Sequence, residues 1–430
     1  MNKRLVLGAA AMLGGAVIAL AVIVSYRLVG ADEPPLRPDP TTPSTETLDQ
    51  QIARVAAVVE QVRALEFPEP PELTVISPEE LADRVALELQ AYTPEDAAED
   101  ERILEALGVL TPEQNLRQLI IRSYSEQVAG FYDPTTGELV VGADTGGERL
   151  GRIEEIILAH ELEHALADQT LGLPTVEEPE DGEEDAALAR QALTEGDATI
   201  TMQRYVEEGF SVVDQLLLPA EVADLTAQLV GITELPHYLQ RSLLFPYEEG
   251  AVFVDALLSR GGWELVNQAY DQPPTTTAQI LFPERYPGPT SLPLDPPVAP
   301  EAPWSLLRES AFGAADLLFL FEAPGNETSA ALADPLVAAG TWRGGALHLY
   351  GDGDESAVGI ALATSELATL CTAVAEWYDA AHSDDRLVSR VVEGAEWRGG
   401  RWAATLECEG QSVRLGIAPR PEVASALVGG

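Results

Sequence analysis

The apolar positions of the chain change period several times, and each change predicts an element. Leu5 to Tyr26 carry no formal charge and follow Lys3 and Arg4. A helix over these positions reaches about 33 Å, enough for a hydrocarbon core of about 30 Å. Residues 1–30 therefore read as a transmembrane anchor. Lys3, Arg4 and the terminal amine outweigh Arg27, so the N-terminus is expected in the cytoplasm and the rest outside. A cleaved signal peptide, and a secreted chain, is the alternative. Residues 31–47, rich in Pro and Thr, form a linker. Ile52, Val55, Val59 and Val62 then repeat at helical spacing.

Ser77-Pro78-Glu79-Glu80 opens a second helix with Leu81, Val85 and Leu89 on its apolar face. Thr111-Pro112-Glu113-Gln114 predicts another, through Leu116, Leu119, Ile120 and Tyr124 to about Val128. Gly130 to Val141 reads as two strands around Asp133-Pro134-Thr135-Thr136-Gly137. Helices are expected over Ile153–Leu171, Asp185–Glu208 and Val212–Leu235, and again over Ala251–Leu258, with Gln272–Pro289 irregular. Glu177 to Asp185 is a charge run of the kind that is usually solvated.

Residues 291–303 are a Pro-rich connector to a small α+β module over 304–430. In it the pattern predicts a helix from Trp304 through Leu318, an exposed Gly325-Asn326-Glu327 segment and a helix from Ser329. A hairpin around Gly351-Asp352-Gly353-Asp354, a helix over Ser365–Ala381 and strands near Trp402–Leu406 and Val413–Ile417 follow. Cys371 and Cys408, the only two cysteines, both fall here and could pair in an oxidising compartment, or stay as buried thiols. Asn326-Glu327-Thr328 matches a glycosylation acceptor. The fold class is α+β: a mostly helical domain with a small sheet over 48–290, and the module.

The chemistry concentrates in the Ile153–Leu171 helix. His160, Glu161 and His164 spell H-E-x-x-H in a chain with only five histidines. Residues four apart share a helix face, so both imidazoles can reach one ion while Glu161 faces a water on it. A catalytic zinc needs a third protein ligand. No His follows at short spacing, and Glu195 on the next helix is the candidate. Gly196 beside it implies a close helix approach, expected toward the metal helix. Asp168 and Asp197 are weaker candidates for holding an imidazole from behind. An oxyanion donor is also needed; Tyr247 is preferred, with His237 as the other candidate.

Composition narrows the partners. The net charge of -46 repels phosphate backbones, so no nucleic acid is expected. Hydrophobic content of 46% supports real cores.

HELEH followed by Glu195 in LTEGDA resembles the gluzincins, the thermolysin-like zinc metallopeptidases. Within them it is similar to a group of bacterial membrane-anchored or secreted metallopeptidases. The shared segments are His160–Gln169, Glu195–Ala198, Pro246–Gly250 and Pro274–Tyr286. The resemblance implies a zincin-like domain over 48–290, with Zn2+ on His160, His164 and Glu195 and Glu161 as general base. Thr199 stands where many gluzincins have Asp, and Phe282 where relatives have His. The expected function is zinc-dependent peptide-bond hydrolysis outside the cytoplasm, on a peptide or protein substrate, with the chain held at the cell membrane. The rival is a non-catalytic surface or binding protein on the same fold.

Overall fold

The structure, a computed structural model, describes residues 46–125, 129–143, 149–174, 182–226, 234–288, 291–292, 294–391 and 394–429. The expected anchor, most of the linker and most of the acidic run lie outside the described residues. Among those described, no helix is long and apolar enough to cross a membrane. They form an α+β fold of 13 helices and two sheets.

α1 (Leu48–Arg63) starts at a capping box between Thr47 and Gln50, and its Val55 and Val59 are fully buried. β1 (Leu73–Ile76) and α2 (Pro78–Glu88) follow, with Ser77 accepting from the Glu80 amide. α3 (Pro94–Ala106) escapes the sequence reading although Thr93 and Asp96 cap it in the same way. Its charged residues dilute the apolar stripe. α4 (Leu116–Ser125) starts later than predicted: Asn115 takes the cap, accepting from Gln118 N at 2.8 Å, and Thr111–Gln114 closes a separate turn.

The expected hairpin is β2 (Gly130–Asp133) and β3 (Glu138–Gly142). β1 pairs parallel with β3, giving the order β1-β3-β2 and leaving β2 at an edge. α5 (Arg152–Leu171) is buried around most of its circumference, with Glu155, His160, Glu161, Glu163 and His164 among its buried side chains. Such a helix belongs in a core, and it packs between α1, the small sheet, α6 (Glu184–Gly209) and α7 (Val212–Thr226). The predicted extension of α7 to Leu235 falls partly outside the described residues. α8 (His237–Asp271) runs through Pro246 and kinks at Gly262, where φ is +64°. α9 (Thr277–Leu281) lies inside the stretch read as irregular; five residues are too few for a period to register.

β4 (Ser305–Ala311) stands where a helix was expected. Its partner strand lies about 40 residues on, with Ser305 opposite Gly351, so nothing local announces the pairing. α10 (Ala314–Glu322) and α11 (Pro335–Ala339) precede β5 (Trp342–Asp352) and β6 (Glu355–Thr364). The helix expected from Ser329 is a short 3-10 turn followed by α11. α12 (Leu367–Ala381), β7 (Arg386–Val391), β8 (Gly394–Arg398), β9 (Ala403–Glu409), β10 (Ser412–Ala418) and α13 (Pro421–Val428) complete the chain. The seven strands form one antiparallel sheet, ordered β4-β5-β6-β10-β9-β8-β7. Cys371 on α12 and Cys408 on β9 are joined in a disulfide.

One hydrophobic cluster runs from α2 and α8 into the seven-stranded sheet. Tyr238 and Phe319 meet edge to face at 5.7 Å between ring centres. Glu184, at the start of α6, accepts from the Ala311 amide at 2.7 Å, and Asp185 accepts from Thr277. Asn326 is half-buried rather than exposed and donates to the Val109 carbonyl, which engages the side chain of the glycosylation acceptor.

His382 closes the same junction. It stacks on Tyr378 at 4.3 Å, beside Gly108. Burial pushes its imidazole down to about 4. In the unfolded chain a histidine titrates at about 6.5. Between these values the unfolded state takes a proton that the folded state refuses. Stability is therefore full above about pH 6.5 and falls as the pH drops toward 4. The expected result is that His382→Gln flattens the fall in melting temperature between pH 7 and pH 4.5, measured by calorimetry.

Candidate metal centre

α5 and α6 cross with their buried faces together, and the crossing brings three predicted ligands to one point. His160 Nε2 lies 3.1 Å from Glu195 Oε2, His164 Nε2 lies 3.3 Å from the same oxygen, and the two Nε2 atoms are 3.2 Å apart. A tetrahedral ion bound at about 2.0–2.1 Å puts its ligands about 3.3–3.4 Å apart. The triangle thus has nearly the dimensions of one face of such a tetrahedron. Among the described residues it is the one cluster of three or more His, Cys, Asp or Glu that could hold a metal. Two imidazoles and a carboxylate, all buried, are a donor set suited to a divalent transition ion. The residues present fit zinc.

The electrostatics point the same way. Burial alone would raise the Glu195 carboxyl, but His164 and His160 hold it down to about 2. Burial would lower His164, yet Glu195, Glu161 and Glu163 push it up to about 10. Burial lowers His160 against the pull of Glu195. A cation bound here would favour the deprotonated imidazoles, so its uptake would release protons.

Glu161 is not part of the triangle. It is buried, and burial pushes its carboxyl up to about 8, with Glu195 adding to the rise and His164 and the Tyr132 amide opposing it. A dication nearby would favour its ionised form. β2 lies directly over it: a side chain at Gly130 would come within 2.9 Å of Ile157 and 3.4 Å of Glu161, so only glycine allows the contact. The ring of Tyr247, on α8, packs on His160 with centres 6.2 Å apart. His237 is turned away onto Glu322, at 3.1 Å.

Gly196 has a packing reason, though not toward α5. A Cβ there would sit 2.2 Å from the Gly250 backbone, and one on Gly250 would sit 2.1 Å from the Ala192 carbonyl. Paired glycines thus bring α6 and α8 together and set the depth of Glu195. Neither expected aspartate sits behind an imidazole as its bonded partner. Asp168 accepts from the Tyr132 hydroxyl at 2.7 Å, tying α5 to β2. Asp197 accepts from Arg63 at 3.0 Å and Tyr270 at 2.9 Å. Thr199 is fully buried. Phe282 lies under Arg285 and against Gly340, at the junction with α11.

Sequence reasoning missed Glu163. It is the residue before His164, wholly buried, with Oε2 3.8 Å from His164 Nδ1 and Oε1 3.6 Å from Arg63 Nε. Burial and then Asp197 raise its carboxyl well above the usual range. The available signal was Arg63, a cation at the end of the stripe formed by Val55, Val59 and Val62.

No family model matches the chain, and no curated protein does. A solved structure from Chloroflexus aurantiacus, described as a "putative hydrolase with a novel fold", is 17% identical. The match covers 63% of this chain and 95% of that one, with a TM-score of 0.35. A likeness at that level fixes neither fold nor activity.

Proposed function

We propose that the chain is a zinc-dependent peptidase of the gluzincin type. One observation carries the reading: two imidazole nitrogens and a carboxylate oxygen converge within 3.3 Å of one another, one residue from a buried Glu. His160, His164 and Glu195 would hold the zinc, and the chemistry it would supply there is Lewis-acid activation of a water and of the scissile carbonyl. Glu161 would accept a proton from the attacking water and deliver it to the leaving amine. Tyr247, beside His160, is the candidate donor to the oxyanion.

The small sheet supports a peptide substrate. Ala129 O accepts from Gly142 N, so the alternation of an antiparallel pair turns the backbone groups of Gly130 and Tyr132 outward. The Tyr132 amide already reaches Glu161. An extended chain adding to the β2 edge would run past the general base. The Cys371–Cys408 disulfide suits an oxidising compartment, in keeping with an extracytoplasmic domain on a membrane anchor or a secreted one.

The test is hydrolysis of a peptide library by the full-length chain. Chelation is expected to abolish cleavage and added zinc to restore it. Cleavage that survives exhaustive chelation, or zinc-loaded protein that cleaves nothing, would sink the reading.

A further inference from the structure

Behind the triangle lies a second charged cluster that the reaction does not use directly. Arg63 ends α1 and is wholly buried. Its Nε and Nη2 lie 3.0 and 2.9 Å from Asp197 Oδ2, and its guanidinium covers the Trp263 ring at 4.3 Å. The Tyr270 hydroxyl donates to the same Asp197 oxygen at 2.9 Å. Glu163 sits between Arg63 and His164 Nδ1, at 3.6 and 3.8 Å. Four elements therefore meet here: α1, α5, α6 and α8.

Asp197 is two residues from Glu195, and Glu163 adjoins His164 in sequence. Both metal-bearing helices are gripped beside their ligands. A buried ion cluster stabilises poorly, because desolvation offsets its attraction. Its contribution is a defined geometry. A metal-bound histidine commonly has its far ring nitrogen facing a carboxylate, which orients the ring. Glu163 is the carboxyl group on that side of His164, 3.8 Å from Nδ1.

Resting on the metal-site reading above, we propose that Arg63, Glu163 and Asp197 form the positioning device of the site. They hold the His164 ring from its Nδ1 side and clamp α6 next to Glu195. Arg63 thereby makes α1, about 100 residues upstream in sequence, part of the metal centre.

The experiment measures Co2+ affinity and the visible absorption of bound Co2+ in the full-length protein, with Zn2+ competition. Four variants are compared with wild type: Glu163→Gln, Arg63→Met, Arg63→Lys and, as a control, Arg54→Met. Arg54 clamps α1 onto Glu155 and Tyr205 rather than onto the triangle. Glu163→Gln keeps the shape of the side chain and is the variant least exposed to misfolding. Glu163→Gln and Arg63→Met are expected to weaken Co2+ binding about 10- to 100-fold and to alter its absorption bands. Arg63→Lys is expected to recover part of the affinity, and Arg54→Met to leave both readouts unchanged.

Wild-type affinity and spectrum in Glu163→Gln would overturn the inference while leaving the metal site standing. Equal losses in Arg54→Met and Arg63→Met would also overturn it, by assigning the effect to docking of α1. Wild type that binds neither Co2+ nor Zn2+ would overturn the metal-site reading itself.

Discussion

Glu161→Gln is expected to lower turnover about 100- to 10,000-fold on any peptide the zinc-loaded chain cleaves, with zinc content and KM unchanged. The residue stands outside the ligand triangle, so the exchange removes no donor. Gln keeps the size of the side chain that lies next to Gly130 on β2. It loses only the capacity to take a proton. A loss in kcat without a rise in KM is the signature of an interaction made in the transition state alone. Single-turnover kinetics with metal analysis on the same preparation decide the matter. Equal turnover in Glu161→Gln and wild type would remove Glu161 from the chemistry. A fall in zinc content that matched the fall in rate would make it a ligand or a structural support instead.

Much of the site was legible because its chemistry is local. His160 and His164 lie one turn apart, so the face they share follows from helix geometry alone. Glu195 is a step harder: it lies on another helix, and the clue was the neighbouring Gly196. That clue led to a residue that lies beside both imidazoles, through a different contact, since Gly196 meets Gly250 on α8 rather than α5. The Arg63 cluster is the illegible part. Its members come from positions 63, 163, 197 and 270, and no period or spacing links them. Asp197 was noticed, but as a partner for an imidazole; the buried guanidinium outcompetes a neutral ring for a carboxylate.

The fold divides along the same line. Elements with caps or an unbroken apolar stripe were readable: α1, α2, α5, α6 and α12 all fall within a few residues of their expected bounds. β1, β4, β7 and β8 were not. Each is a short strand whose apolar pattern is weak, and β1 and β4 find their partners dozens of residues away. Strand identity there comes from the sheet rather than from the segment. α3 was missed for a different reason, because the run Glu95 to Arg102 hides its buried Ala97 and Leu104 among charges.

Glu195→Ala is expected to abolish the zinc binding proposed for wild type and, with it, the gain in melting temperature expected of wild type on adding zinc. The argument starts from linkage. A ligand at a thousand times its Kd that binds only the folded chain adds about 4 kcal/mol of stability. Glu195 contributes one of three donors, and its oxygen lies 3.1 and 3.3 Å from the two nitrogens. Alanine leaves two neutral imidazoles, without the negative charge that offsets a dication in a buried site. The loss of affinity should exceed the roughly 10- to 100-fold that removing an outer partner costs. Glu195→Gln refines the test, since it keeps an oxygen in place and removes the charge. It should bind zinc more weakly than wild type and more tightly than Glu195→Ala. Calorimetric scans with and without zinc on all three proteins give the comparison. A zinc-dependent rise in melting temperature that persists in Glu195→Ala would show that the third ligand is another residue. A rise absent in wild type would take zinc out of the triangle and leave it a cluster of buried polar contacts.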